Sequence, residues 1–323
     1  MMVPVVQSLA QQYPNLKITI LTRAFFKPLF NTIPNVSFHF ADVKGKHKGI
    51  FGLRKLSKEL KKLNIDAVAD LHNVLRSNIL KSFFQFSNIP YLQIDKGRNE
   101  KKALTTGKQF FQLKTTHQRY ADVFQKLGFQ IDLSKHIFPG KKELTKKLID
   151  IIGSDTRKWI GIAPFAAFEG KMYPLDLMEK VIERLNGTDN YKVILFGGGK
   201  KEMDLLNEFA DKYKNVVNVV DKLPFEEELQ LISNLDLMLS MDSGNAHLAA
   251  MFGIKTITLW GVTHPYAGFY PFGQDQAYAL LSDRDKYPSI PTSVYGNKVP
   301  QGYEDVMRTI LPDKVVEKIT SLV

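Results

Sequence analysis

The sequence predicts an α/β protein made of two doubly wound domains with parallel sheets. Three observations point there. Helix and strand patterns alternate along the chain, and the strands of the second half are continuous apolar runs. The alternation also restarts after the turn-forming Phe138-Pro139-Gly140. A strand that is apolar on both faces needs helices above and below it, which βαβ crossovers supply. A length of 323 residues suits two domains, expected here as 1–140 and 141–323. Ligands of such folds sit at the carboxyl ends of the strands, in a cleft that the two sheets face.

In chain order, Val3–Gln12 reads as a helix and Lys17–Thr22 (KITILT) as a strand. Leu53–Leu63 is a basic amphipathic helix, Ala67–Leu71 a short apolar strand and Arg76–Phe84 a helix. Pro90–Ile94 is a strand and Thr115–Leu127 a helix stopped by Gly128. The charged helix Glu143–Ile152 opens the second half. Strands then fall at Trp159–Ala163, Lys192–Phe196, Val216–Val220, Asp236–Met241 and Lys255–Trp260. Helices fall at Leu175–Leu185, Lys201–Tyr213, Phe225–Ser233 and Asn245–Phe252. The last helix, from Tyr303 onward, is a candidate to lie back across the first domain. The chain opens on a helix, where a doubly wound domain ordinarily opens on a strand.

Composition excludes several classes. There is no cysteine, so disulfides, thiolate metal sites and cysteine nucleophiles are out. No apolar run reaches the length of a membrane span, and Met1–Gln12 has no basic flank or cleavage site of a signal peptide. The net charge of +11 is uneven. Residues 1–140 hold 22 Lys and Arg against 8 Asp and Glu, whereas the remainder is slightly acidic. A basic half attracts nucleic acid, an anionic membrane surface or a phosphorylated substrate. Aromatic residues are not interleaved with these charges, which disfavours nucleic acid.

The strongest local pattern is Asp242-Ser243-Gly244-Asn245-Ala246-His247, between the apolar strand LDLMLS and a helix. Small residues at a strand-to-helix junction leave backbone N–H groups open to an anion, and His247 on the first turn leans back toward them. Asp242 either caps the helix or binds a hydroxyl, since a carboxylate facing phosphate would repel it. Pro164–Lys171 (PFAAFEGK) follows strand WIGIA, and Lys171 is either a phosphate partner or a surface lysine. Gly197-Gly198-Gly199-Lys200-Lys201-Glu202 fits neither the dinucleotide nor the P-loop fingerprint; it is a weak phosphate or ribose candidate and reads more readily as a tight turn. The aromatic loop 263–272 packs an interface or lines a pocket. In the basic half, His72, Asn73 and Arg76 stand at another strand end. Asp283-Arg284-Asp285 is too short a pattern to indicate a metal.

Taken together, SMDSGNAHLAAMFGIKTITLWGVTHPYAGFYPFG, PFAAFEGKMYP, LFGGGKKE and DLHNVLRSN resemble the motifs of glycosyltransferase family nine, the lipopolysaccharide heptosyltransferase family. The resemblance spans nearly the whole chain and implies a GT-B architecture of two Rossmann-like domains. It implies transfer, with inversion, from ADP-heptose or a related nucleotide sugar to an anionic lipid-linked acceptor, with no metal or cofactor in the chemistry. It also implies a cytoplasmic protein, with peripheral contact at the inner face of the inner membrane. Carried over by position, Lys171, Ser243, Gly244 and His247 hold the donor diphosphate, Asp242 contacts the donor, and Glu202 lies near the nucleoside. Arg76, His72 and Asn73 face the acceptor. Ala166 and Ala167 stand where the family usually has hydroxyl residues. The family opens with a strand and a glycine-containing loop whose aspartate is the presumed general base, followed by a helix resembling Val3–Ala10. That base is therefore expected to be missing, since no carboxylate precedes Asp42. The alternative function is then a catalytically impaired or non-catalytic nucleotide-sugar binder. A dehydrogenase is disfavoured because no GxGxxG follows a strand.

Overall fold

A computed structural model describes residues 1–85, 87–153 and 155–323. The chain divides into two compact units. One comprises Met1–Lys96 and Thr116–Ile137, the other Gly97–Thr115 and Phe138–Val323.

The first unit begins with α1 (Met2–Gln12), β1 (Ile18–Thr22), β2 (Val36–Phe40) and α2 (Gly49–Lys61). It continues with β3 (Val68–Asp70), α3 (Leu75–Phe84) and β4 (Tyr91–Gln93). Strands β1 and β2 pair in parallel, as do β3 and β4, but no strand among the described residues joins the two pairs. The inward face of α2 (Leu53, Leu56 and Leu60) packs with Leu80 and Phe84 of α3, because these residues recur at helical spacing. Strand β2 has no counterpart among the sequence expectations.

The chain then forms α4 (Arg98–Thr105) and returns to the first unit as α5 (Thr116–Lys126). Residues 97–115, placed in the first domain by the sequence, cluster with the second unit for clear reasons. Leu104 and Leu113 are buried with Ala267, and the Leu113 N–H donates to the Tyr266 carbonyl. Lys101 lies over the Phe269 ring, 4.1 Å from its centroid.

The second unit contains α6 (Lys146–Ile152), β5 (Lys158–Ala163), α7 (Leu175–Gly187), β6 (Tyr191–Leu195) and α8 (Lys200–Lys212). It goes on with β7 (Val216–Asn218), α9 (Phe225–Ile232), β8 (Leu237–Met241), α10 (Gly244–Ala250) and β9 (Lys255–Trp260). It ends with β10 (Ala279–Leu281) and α11 (Pro312–Thr320). Six parallel strands are ordered β10-β9-β8-β5-β6-β7, with β6 and β8 buried along their whole length. The chain moves outward from β5 through β6 to β7. It then returns to the middle and moves the other way from β8. The β5/β8 boundary is thus the topological switch point, where a crevice opens between diverging loops.

The segment 303–310, expected to start the last helix, is instead a 3₁₀ turn over Val306–Thr309. Pro312, lacking an N–H, cannot continue it and starts α11. Within the second unit, Val315 and Ile319 of α11 are buried in the core, Arg184 of α7 pairs with Asp313, and the helix packs on α7.

Candidate functional site

Strands β5 and β8 are neighbours, so the loops leaving their carboxyl ends meet at the switch point. The loop after β5 runs through a 3₁₀ turn, Glu169–Lys171, and delivers the Lys171 Nζ to within 2.9 Å of the Asp242 Oδ2 at the end of β8. The same carboxylate oxygen accepts the Thr263 hydroxyl at 3.0 Å, from the loop after β9. Both charged side chains are nearly buried. Separating such a pair by removing one partner costs about 3 kcal/mol. The loop geometry depends on small residues. A Cβ on Gly261 would lie 2.2 Å from the Gly170 carbonyl, which itself accepts the Val262 N–H at 3.0 Å.

Beside this pair, α10 starts at Gly244. Its N-cap Ser243 makes no capping bond; the hydroxyl lies 3.0 Å from the Ser240 hydroxyl inside the sheet. The first-turn amides are therefore not satisfied by the cap side chain. His247 is half-buried on the same turn. Lys171 and Asp242 are thus paired at the carboxyl ends of β5 and β8, with Ser243, Gly244 and His247 following Asp242 into the first turn of α10. Ala166 packs on the core, and Ala167 is exposed.

Glu202, in the first turn of α8, accepts the Gly198 N–H at 2.8 Å. The Gly197–Gly199 turn is thereby closed by the carboxylate that follows it, as a tight turn at the next strand end. Glu228, in the first turn of α9, is pushed up to about 7 by burial and by the nearby Asp221 charge. Nothing in the sequence singled it out. Thr263 and Gly296 were likewise missed as parts of the site. Gly296 (φ +81°) lies against Lys171, where an added Cβ would meet the lysine Cδ at 2.3 Å.

The aromatic loop lines a cavity of about 310 Å³ with Phe110, Gln276 and Arg284. The Arg284 guanidinium stacks 3.5 Å from the Phe110 centroid. His264 is pushed down to about 4, by burial and then by the Arg284 charge, and its Nδ1 accepts the Tyr266 N–H. Among the described residues Asp283 belongs to no group of three His, Asp or Glu that could hold a metal. Its Oδ1 accepts the N–H groups of Asp285 and Lys286 in a turn.

In the first unit, Asp70 ends β3 and is buried. Its Oδ1 accepts the His72 and Asn73 N–H groups, each at 2.9 Å, and its Oδ2 accepts the Gln93 side chain at 2.9 Å. Burial alone would raise its pKa, but the Gln93, Asn73, Ser77 and His72 hydrogen bonds outweigh it and hold the carboxylate ionised. Asn73 adopts φ +43° and donates its amide to the Ile94 carbonyl, so its side chain shapes the loop. His72 and Arg76 are exposed on that loop and on the first turn of α3.

The sequence profile of glycosyltransferase family 9, the heptosyltransferases, matches residues 53–295. The chain belongs to this family. A family 9 member is a glycosyltransferase, and relatives extend the likeness beyond the profile. Lipooligosaccharide heptosyltransferase 2 of Campylobacter jejuni is 24% identical across 99% of this chain and 93% of its own length. The lipopolysaccharide core heptosyltransferase OpsX of Haemophilus influenzae is 23% identical across 81% and 75%. Among solved structures, the Escherichia coli ADP-heptose lps heptosyltransferase II superposes with a TM-score of 0.70. That likeness covers 99% of this chain and 94% of the other at 19% identity. A family 9 protein of Veillonella parvula gives 0.75, over 99% and 92% at 18% identity. These structures establish the α/β, GT-B-type fold for this family 9 chain. Among its described residues no helix is long and apolar enough to cross a membrane, and no three His, Asp or Glu side chains are grouped to hold a metal.

Proposed function

We propose that this chain transfers a heptose from ADP-heptose to a lipopolysaccharide-type, lipid-linked acceptor with inversion at the anomeric carbon. The observation that carries the reading is the Lys171–Asp242–Thr263 cluster at the switch point, beside the glycine-led start of α10. Relatives named for heptosyl transfer, and a neighbour solved with ADP-2-deoxy-2-fluoro heptose, support the choice of donor.

In this reading Lys171, His247 and the amides from Ser243 onward bind the donor diphosphate. The acceptor hydroxyl oxygen bonds to the anomeric carbon as the bond from that carbon to phosphate oxygen breaks. The electron pair leaves with the nucleotide diphosphate. Negative charge grows on that leaving group, and prepositioned cations and N–H donors stabilise it most when water is excluded. Asp242 does not face the phosphates. Its Oδ2 holds the Lys171 ammonium in place with help from Thr263, and its Oδ1 suits a donor hydroxyl. Glu202 and Glu228 stand at the next two strand ends, suited to the hydroxyls of the nucleoside. His72 and Arg76 meet the anionic acceptor, with Asn73 shaping their loop. The proton of the attacking hydroxyl passes to a base that stays unassigned, since Asp70 and Asp242 are each committed to neighbouring donors.

Calorimetric titration with ADP tests the donor site. His247→Ala is expected to weaken binding about tenfold, and Lys171→Ala about 10- to 100-fold, the worth of charge-assisted hydrogen bonds. Lys171→Ala also lowers stability, because Asp242 loses its counter-charge, so titrations belong well below its melting point. Undiminished ADP affinity in both variants would refute the assignment.

A further inference from the structure

The cavity between the aromatic loop and Phe110 is not used by the transfer chemistry. Its volume, about 310 Å³, is at the lower end of the range for small-molecule sites. One wall is a trio of rings. The centroids of Phe110 and His264 lie 5.0 Å apart, those of Phe110 and Tyr266 4.9 Å, and those of His264 and Tyr266 4.4 Å. The trio is fixed from behind: Leu104 and Leu113 are buried with Ala267, and the Tyr266 carbonyl accepts the Leu113 N–H. Tyr270, Ala279 and Leu281 extend the apolar lining, and the Tyr270 hydroxyl is spent on the Asp275 carbonyl at 2.6 Å.

Two polar side chains in this lining keep unspent donors. His264 is 4% exposed, and its Nδ1 accepts the Tyr266 N–H, so the neutral ring carries its proton on Nε2. Among the described residues that Nε2–H meets no acceptor. The Arg284 guanidinium stacks 3.5 Å from the Phe110 centroid, and its Nε donates to the Ile290 carbonyl at 2.9 Å. Its two Nη groups make no hydrogen bond or ion pair among the described residues. The adjacent Asp283 does not neutralise it, because the Asp283 Oδ1 holds the Asp285 and Lys286 N–H groups. A guanidinium whose plane is set by a ring and whose Nη pair is open suits an acceptor with two oxygens.

We infer that this cavity binds a small carboxylate carried on an apolar ring, an aryl or aryl-alkyl acid, at a site that shares no lining residue with the proposed donor crevice. The carboxylate pairs with the Arg284 Nη groups, the His264 Nε2–H supplies a further donor, and the ring leaves water among the aromatic walls. The lining selects against other anions. A phosphate brings a charge of about −1.5 to −2 to a cavity whose single cation, among the described residues, is Arg284. A sugar acid brings several hydroxyls, for which only the Gln276 amide and the Tyr266 hydroxyl remain, and a buried hydroxyl without a partner is costly. An acid with no ring would leave the apolar walls wet. The inference rests on the cavity's own residues and stands apart from the transfer reaction.

The experiment is calorimetric titration of the full chain, with ADP at saturation. The probes are benzoate, cinnamate and indole-3-acetate as ring acids, acetate as an acid without a ring, and 3-methylindole as a ring without an acid. At least one ring acid is expected to bind with a Kd of about 1 mM or tighter, and acetate and 3-methylindole at least about tenfold more weakly. Arg284→Gln is expected to weaken the ring acid about 10- to 100-fold while ADP affinity stays at the wild-type value. Ala279→Phe fills the cavity with Arg284 in place, and is expected to abolish binding of the acid, again with ADP affinity unchanged. The inference is overturned if no ring acid binds at that level, if acetate binds equally well, or if either variant keeps the wild-type affinity for the acid. Those outcomes leave the donor crevice standing. Displacement of the acid by ADP also overturns the inference, and it counts against the donor crevice as well, since the nucleotide would then occupy this cavity.

Discussion

Lys171 is held from three sides: by the Asp242 carboxylate, by the turn that precedes it, and by Gly296 against its alkyl stem. Gly296→Ala meets two obstacles at once, a backbone at φ +81° and a contact with the lysine Cδ. We expect stability to fall by about 1–2 kcal/mol and ADP affinity to fall several-fold, read by thermal melting and calorimetry. An unchanged affinity would mean that Gly296 does not position Lys171. His264 makes a different prediction. Burial and Arg284 hold it near 4 in the folded chain, whereas an unfolded histidine titrates near about 6.5. The unfolded chain then binds more protons between those values, so stability is present above about pH 6.5 and is lost as pH falls toward 4. His264→Asn keeps an acceptor for the Tyr266 N–H and removes the titration. Melting temperatures across this range should fall less steeply for the variant than for the wild-type chain. Equal slopes would show that His264 does not contribute.

At the scale of elements, strand-end loops do the positioning: one in the first unit, and in the second the loops after β5, β8 and β9. In the first unit the β3–α3 loop is organised by Asp70, which satisfies two loop N–H groups and the Gln93 amide. Asp70→Ala strands those donors and is expected to cost about 2–3 kcal/mol, measured by denaturant unfolding. A cost below about 0.5 kcal/mol would contradict that role. The second unit's elements were legible because β5, β6 and β8 are continuous apolar runs between amphipathic helices. Strand β2 (VSFHF) was not. It is short, alternates with polar residues and follows Pro34-Asn35, so its pairing with β1 is a tertiary fact. Helix α4 carries Arg, Glu and Lys with little apolar face and is set by docking of Leu104 and Leu113 against Ala267. The site was legible in its parts. Asp242 through His247 and Lys171 stood out by their places at strand ends. Thr263 and Gly296 have no local signature, because their roles come from loops meeting at the switch point.

At the scale of the whole molecule, the basic excess lies in the first 140 residues and the groups proposed to bind the diphosphate lie in the second unit. In the proposed reading, charge on the first unit serves the anionic acceptor, while the donor depends on local geometry in the second. Acceptor binding should therefore weaken steeply with salt, whereas ADP binding beside the nearly buried Lys171–Asp242 pair should weaken far less. The most direct test of the central claim is a crystal structure of the chain with ADP. The account predicts pyrophosphate oxygens within about 3 Å of the Lys171 Nζ and of the amides that open α10. ADP lodged instead in the cavity between Phe110 and Arg284, with Lys171 still closed on Asp242, would contradict it.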